Sequence, residues 1–85
     1  MGQVVLISGG TSGIGKRSAE LFAAGSYQVA ILGRDAIKGQ QAAESLQQSY
    51  PQTKILYIQG DVSKVEDCAK AVAQTVQWGG SLDVL

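Results

Sequence analysis

The chain has 85 residues, with seven Lys and Arg balancing seven Asp and Glu, 45% hydrophobic residues and 16% charged ones. That balance removes any long-range electrostatic reason to expect nucleic acid or an acidic membrane surface as partner, and the hydrophobic share excludes the disordered class. His and Asn are absent and Cys68 is the single thiol, which excludes Ser-His-Asp and Cys-His relays, an imidazole metal site, a structural zinc site and an internal disulfide within these residues.

At this size one small core is the most the chain can build. Its N-terminus has no basic region, and Val4–Ile7 is too short for a signal-peptide core. No apolar run approaches the roughly 20 residues that span a bilayer. A soluble protein of the reducing cytoplasm, with no membrane partner, is the expectation.

Val4-Val5-Leu6-Ile7 is an unbroken apolar run followed by Gly9-Gly10, which reads as a strand buried on both faces. Gly13 to Ala24 carries Ile14, Leu21 and Phe22 at helical spacing, and Gly25 stands where a C′ glycine would end that helix. Val29–Leu32 is a second strand, closed by Gly33. Asp35 can cap a second helix through about Ser49, and Pro51 stops it. Ile55–Ile58 is a third strand, ending at Gly60. Ser63-Lys64-Val65-Glu66 has the pattern of a capping box and opens a third helix, with Val65, Ala69, Val72 and Val76 expected on its packed face and an end near Gly79-Gly80. Leu82–Leu85 begins a fourth strand.

This order predicts an α/β fold: a Rossmann-type, doubly wound parallel sheet, β-α-β-α-β-α-β, with strand order 3-2-1-4. The first two helices should cover one face and the third the other. Residues 1–85 then form the N-terminal part of one such domain, incomplete after the start of the fourth strand. An open edge at Leu82–Leu85 would favour self-association, so a homo-oligomer is expected.

Ser8-Gly9-Gly10-Thr11-Ser12-Gly13-Ile14-Gly15 joins the first strand to the first helix. Backbone amides at a helix N-terminus make an anion site, and glycines allow the tight turn and the close approach of phosphate. Three loop patterns compete. G-x-G-x-x-G begins at Gly13-Ile14-Gly15 but fails at Ser18. The triphosphate loop G-x-x-x-x-G-K-[ST] is met from Gly10 to Lys16, but its last position is Arg17, and a guanidinium cannot ligate Mg²⁺.

The third pattern is T-G-x-x-x-G-x-G, with Gly9, Gly13 and Gly15 on its glycines and Ser8 in place of Thr. Gly60-Asp61-Val62 follows the third strand, and Leu82-Asp83-Val84-Leu85 looks like the approach to an N-N-A-G motif. Through these three elements, spread over all 85 residues, the chain resembles the short-chain dehydrogenase/reductase family. The resemblance implies that Gly9, Thr11, Ser12, Gly13, Ile14 and Gly15 bind the pyrophosphate and ribose of a dinucleotide, and that Asp61 and Val62 flank its adenine.

NAD binders usually carry an acid at the end of the second strand for the ribose hydroxyls. Here Gly33 takes that position and Arg34 follows. Glycine makes room for a 2′-phosphate, and Arg34 can form a charge-assisted fork to it, so NADP(H) is expected over NAD. The implied activity is hydride transfer between nicotinamide and a small-molecule carbonyl or secondary alcohol. The family's relay pairs Tyr-x-x-x-Lys on a helix with a Ser and an Asn. Tyr50-Pro51-Gln52-Thr53-Lys54 matches the string, but Pro51 denies the helix that would put both side chains on one face. No catalytic residue and no metal ligand is therefore assigned, and the 85 residues alone are expected to be inactive. Two other readings stay open: a triphosphate-binding loop protein, and a non-catalytic nucleotide-sensing module.

Overall fold

The computed structural model describes residues 3–9, 13–80 and Leu82, with backbone alone at Gly13 and Ile14. Three strands, β1 (Val4–Ser8), β2 (Gln28–Gly33) and β3 (Ile55–Gln59), alternate with three helices, α1 (Gly13–Ala24), α2 (Ala36–Ser49) and α3 (Val65–Gly79). The strands form one parallel sheet in the order β1-β2-β3. Val5 pairs with Val29, and Ile31 pairs with Tyr57. This is the 3-2-1 part of the expected order. The expected fourth strand lies outside the described residues apart from Leu82, which packs beneath α3.

The one small core expected from the length is instead divided in two, because side chains alternate across a strand and the central β2 feeds a cluster on each face of the sheet. Val29 and Ile31 join Val5, Ala19, Ala23 and Leu46, so α1 and α2 share one face. Ala30 and Leu32 join Leu6, Ile58 and Ala71 under α3 on the other face. The helices divide between the faces as the sequence predicts.

Details at the helix ends and faces differ. Tyr27 N–H bonds the Phe22 carbonyl at 3.0 Å and Ser26 N–H bonds that of Ala23 at 3.1 Å. The Phe22 and Tyr27 rings meet edge-to-face, 4.8 Å apart. These are the two bonds and the apolar contact of a Schellman turn. Its left-handed residue is Ser26, at φ 69°, so the C′ position falls on Ser26 and not on Gly25. The packed positions of α1 are Ala19, Phe22 and Ala23, whereas Leu21 is 67% exposed. Asp35 caps α2 as expected, its Oδ1 accepting from the amides of Ile37 and Lys38.

α3 departs furthest. The residue that caps it is Lys64, without a side-chain bond, because the Ser63 hydroxyl donates to Asp61 Oδ1 at 2.7 Å instead. An acceptor two residues back outcompetes the capping geometry. The face against the sheet carries Ala71, Val72, Thr75 and Trp78; Val65 is 84% exposed and Val76 40%. Ala71 and Thr75 at the centre of that face let the helix lie close; of the expected valines Val72 stays packed, while Val65 and Val76 are turned outward. Gly80, at φ 88°, ends α3 with its N–H on the Val76 carbonyl.

Candidate functional site

All three strands point their C-terminal ends the same way, so the segments after β1, β2 and β3 meet along one edge of the sheet. Gly9 follows β1 in the left-handed region at φ 71°, where a side chain would be strained. Its N–H continues the ladder to the Leu32 carbonyl at 3.0 Å. Gly9 therefore supplies the turn, while its amide is engaged within the sheet. α1 opens at Gly13, so its amide end faces the same edge. Of the other expected loop residues, Gly15 lies in the first turn of α1, Thr11 and Ser12 lie outside the described residues, and Ile14 is described as backbone only.

After β2 the backbone is clamped. The Gly33 carbonyl accepts from the Gly60 N–H at 3.0 Å and from the Tyr57 hydroxyl at 2.7 Å. The Arg34 carbonyl accepts from Gln59 Nε2 at 3.4 Å. Asp35 is committed to the α2 cap, which leaves exposed Arg34 as the charged side chain that the segment after β2 presents to the edge. Burial, and then the nearby Asp35 carboxylate, raise the pKa of the Tyr57 hydroxyl above its usual range, so it remains a donor at neutral pH.

After β3, Asp61 and its neighbours form a compact hydrogen-bonded turn. Asp61 Oδ1 accepts from both the N–H and the hydroxyl of Ser63. Those bonds, with smaller help from Arg34 and Lys64, hold its carboxyl below the ordinary range. Its own N–H donates to Asp67 Oδ2 at 2.8 Å. Asp67, one of two acids in the first turn of α3, thus orients a site segment. The sequence does not single it out, because an acid in the first turn of a helix is ordinary; its partner, the Asp61 amide, lies six residues away.

Two cavities follow from this geometry. A polar one of about 310 Å³ is lined by Arg34, Gln59, Gly60, Asp61 and Asp67. An apolar one of about 200 Å³ is lined by Leu6, Ser8, Leu32, Val62, Cys68 and Val72. The structure thus brings Arg34 and Asp61 to one cavity and sets Val62 in an apolar slot on the α3 side. A slot of that kind suits a flat, apolar ring, and the polar cavity beside it suits charged or hydroxylated groups. Cys68 donates to the Val62 carbonyl at 3.3 Å and serves as a wall of the slot. Tyr50 is the C-cap of α2 and Lys54 directly precedes β3, so the decoy pair shares no helix.

The model of the short chain dehydrogenase family matches residues 3–85. Among curated proteins, the chain is 38% identical over 84 residues to 11-beta-hydroxysteroid dehydrogenase-like 2 of Arabidopsis thaliana, covering 99% of this chain and 27% of that protein. Among solved structures, L-sorbose reductase from Gluconobacter frateurii, complexed with NADPH and L-sorbose, superposes with a TM-score of 0.91 at 28% identity, over 98% of this chain and 32% of that one. An alcohol dehydrogenase from the archaeon Thermococcus sibiricus, complexed with 5-hydroxy-NADP, gives 0.90 at 27% identity, over 99% and 36%. The chain spans about a third or less of the first relatives it matches.

Proposed function

The chain belongs to the short-chain dehydrogenase family, and from that membership we propose that it is the NADP(H)-binding portion of an oxidoreductase acting on a small-molecule carbonyl or secondary alcohol. The end of β2 carries the cofactor choice. Gly33 leaves the space an acid would fill in an NAD binder, and exposed Arg34 lines the polar cavity beside it. The NADPH and NADP complexes of the two solved relatives support the same choice.

The residues divide the cofactor among themselves by chemistry. The turn at Gly9 and the amide end of α1 at Gly13 and Gly15, with Thr11, Ser12 and Ile14, hold the pyrophosphate and ribose. Arg34 holds the 2′-phosphate by a charge-assisted fork. Asp61 and Val62 flank the adenine, with Val62 supplying an apolar wall. The nicotinamide supplies or accepts the hydride when bound. The part assigned to these 85 residues is to bind and orient the cofactor. A cytoplasmic setting belongs to the same reading, supported by the single cysteine, and so does the homo-oligomer expected from an open sheet edge.

Calorimetry with NADPH and NADH tests the assignment. Arg34→Ala is expected to weaken NADPH by about 1.5–3 kcal/mol, the range for a hydrogen bond to a charged group, and to leave NADH nearly unchanged. Equal losses for both cofactors would remove Arg34 from the 2′-phosphate. Mg²⁺ is expected to leave ATP affinity unchanged, because Arg17 stands where a triphosphate loop needs a hydroxyl.

A further inference from the structure

We infer that Tyr57, a residue of β3 that faces α2 and not the cavity, sets the discrimination for the 2′-phosphate by fixing the peptide plane that aims Arg34. The inference rests on the NADP(H) reading and deepens it.

Three observations carry it. The Tyr57 hydroxyl donates to the Gly33 carbonyl at 2.7 Å, joining the Gly60 N–H on the same oxygen. Since the peptide unit is planar, two donors on the Gly33 oxygen also fix the N–H of Arg34 in the shared plane. On the far side of Arg34, its own carbonyl is held by Gln59 at 3.4 Å, and the next residue is locked into the α2 cap. Arg34 is therefore suspended between two anchored peptides, which sets its φ and ψ and the direction in which its side chain leaves the backbone.

The second observation is that the ring has been given its place. A Cβ on Gly39 would overlap the Tyr57 ring, so a glycine inside α2 is what lets the ring lie flat enough for its hydroxyl to reach Gly33. The third is that Arg34 is itself exposed, with the cavity on one side and solvent on the other. A long exposed side chain loses affinity through rotamer freedom unless its stem is aimed. Tyr57 acts on the bound phosphate only through that aim, so it is a positioning residue.

The test measures binding of adenosine 2′,5′-bisphosphate and of 5′-AMP to the wild-type chain, to Tyr57→Phe, to Arg34→Ala and to the double variant. Tyr57→Phe keeps the ring over Gly39 and deletes only the hydroxyl. Its expected effect is a loss of about three- to tenfold in the preference for the bisphosphate, the range for one net hydrogen bond, with AMP affinity unchanged. In the Arg34→Ala background the same change is expected to do nothing further. If Arg34→Ala abolishes the preference while Tyr57→Phe leaves it intact, the positioning role is overturned and the cofactor reading stands. If Tyr57→Phe weakens both ligands alike, or unfolds the chain, the hydroxyl is merely structural and the positioning role is again overturned. If the wild-type chain shows no preference, the NADP(H) reading itself fails; if Arg34→Ala leaves a wild-type preference untouched, Arg34 does not hold the 2′-phosphate and the positioning role of Tyr57 falls with it.

Discussion

Glycine inside a helix ordinarily costs about 1 kcal/mol relative to alanine, so Gly39→Ala in α2 would be expected to stabilise on propensity alone. The Tyr57 ring reverses the sign, because the new methyl group would occupy the ring's place. Gly39→Ala is expected to lose about 1–3 kcal/mol, read as a lower urea midpoint. Ser26 is the opposite case: it holds the left-handed position of the α1 Schellman turn without being glycine. Ser26→Gly is expected to gain about 0.5–1 kcal/mol in the same measurement, the relief of the left-handed strain exceeding the added freedom of the unfolded chain. Asp61 adds a pH dependence. Its folded pKa lies below the unfolded value, so its contribution is complete above about pH 4 and is lost as pH falls through the folded value. Asp61→Asn is expected to flatten the acid limb of a stability–pH curve below about pH 4. The turn at Gly9, the α2 cap at Asp35 and the break at Pro51 were all legible in the sequence, because each depends on neighbours within a few residues. The role of Gly39 was not, since its reason lies 18 positions away in Tyr57.

Helices were legible in place and extent, but their orientation was harder to read. In α3 two stripes compete: Val65, Ala69, Val72 and Val76 are the more hydrophobic, yet Ala71, Val72, Thr75 and Trp78 meet the sheet. Apolarity alone favours the first. Closeness of approach favours the second, because a helix laid on a flat sheet does best with small residues at the line of contact. Thr75 can be fully buried there because its hydroxyl donates to the Ala71 carbonyl at 2.7 Å. Val65→Ser is therefore expected to change stability by no more than about 0.5 kcal/mol, as at an ordinary surface position. Ala71→Val, although apolar for apolar, is expected to lose about 1–3 kcal/mol by overpacking. Urea unfolding of the pair separates the two stripes, and a larger loss at Val65 would restore the orientation expected from hydrophobicity.

At the scale of the molecule, β2 is the common wall of both cores. Ile31, with no exposed surface, is the largest of the fully buried side chains. Ile31→Ala is expected to lose about 2–5 kcal/mol. Eighty-five residues folded by themselves have a net stability near the low end of the usual 5–15 kcal/mol, so that one change should leave a large unfolded fraction of the chain by circular dichroism at 25 °C. The division of helices between the faces was legible because continuous apolar strands admit few other arrangements. The clamp around Gly33 and Arg34 was not, because it joins β2 to side chains of β3 that look like ordinary strand residues.

The parallel sheet also decides where this chain can be lengthened. Its strands are five or six residues long, so roughly 17–20 Å separate the edge that gathers Gly9, Arg34 and Asp61 from the opposite edge. At that opposite edge Pro51 and Gln52 are exposed, between the α2 cap and the start of β3. A fluorescent reporter or affinity peptide spliced between them would sit a full strand length from the loops proposed to face the cofactor. The proposed recognition edge and this exposed turn thus occupy opposite ends of the same strands, which makes the turn the expected attachment point for a reporter.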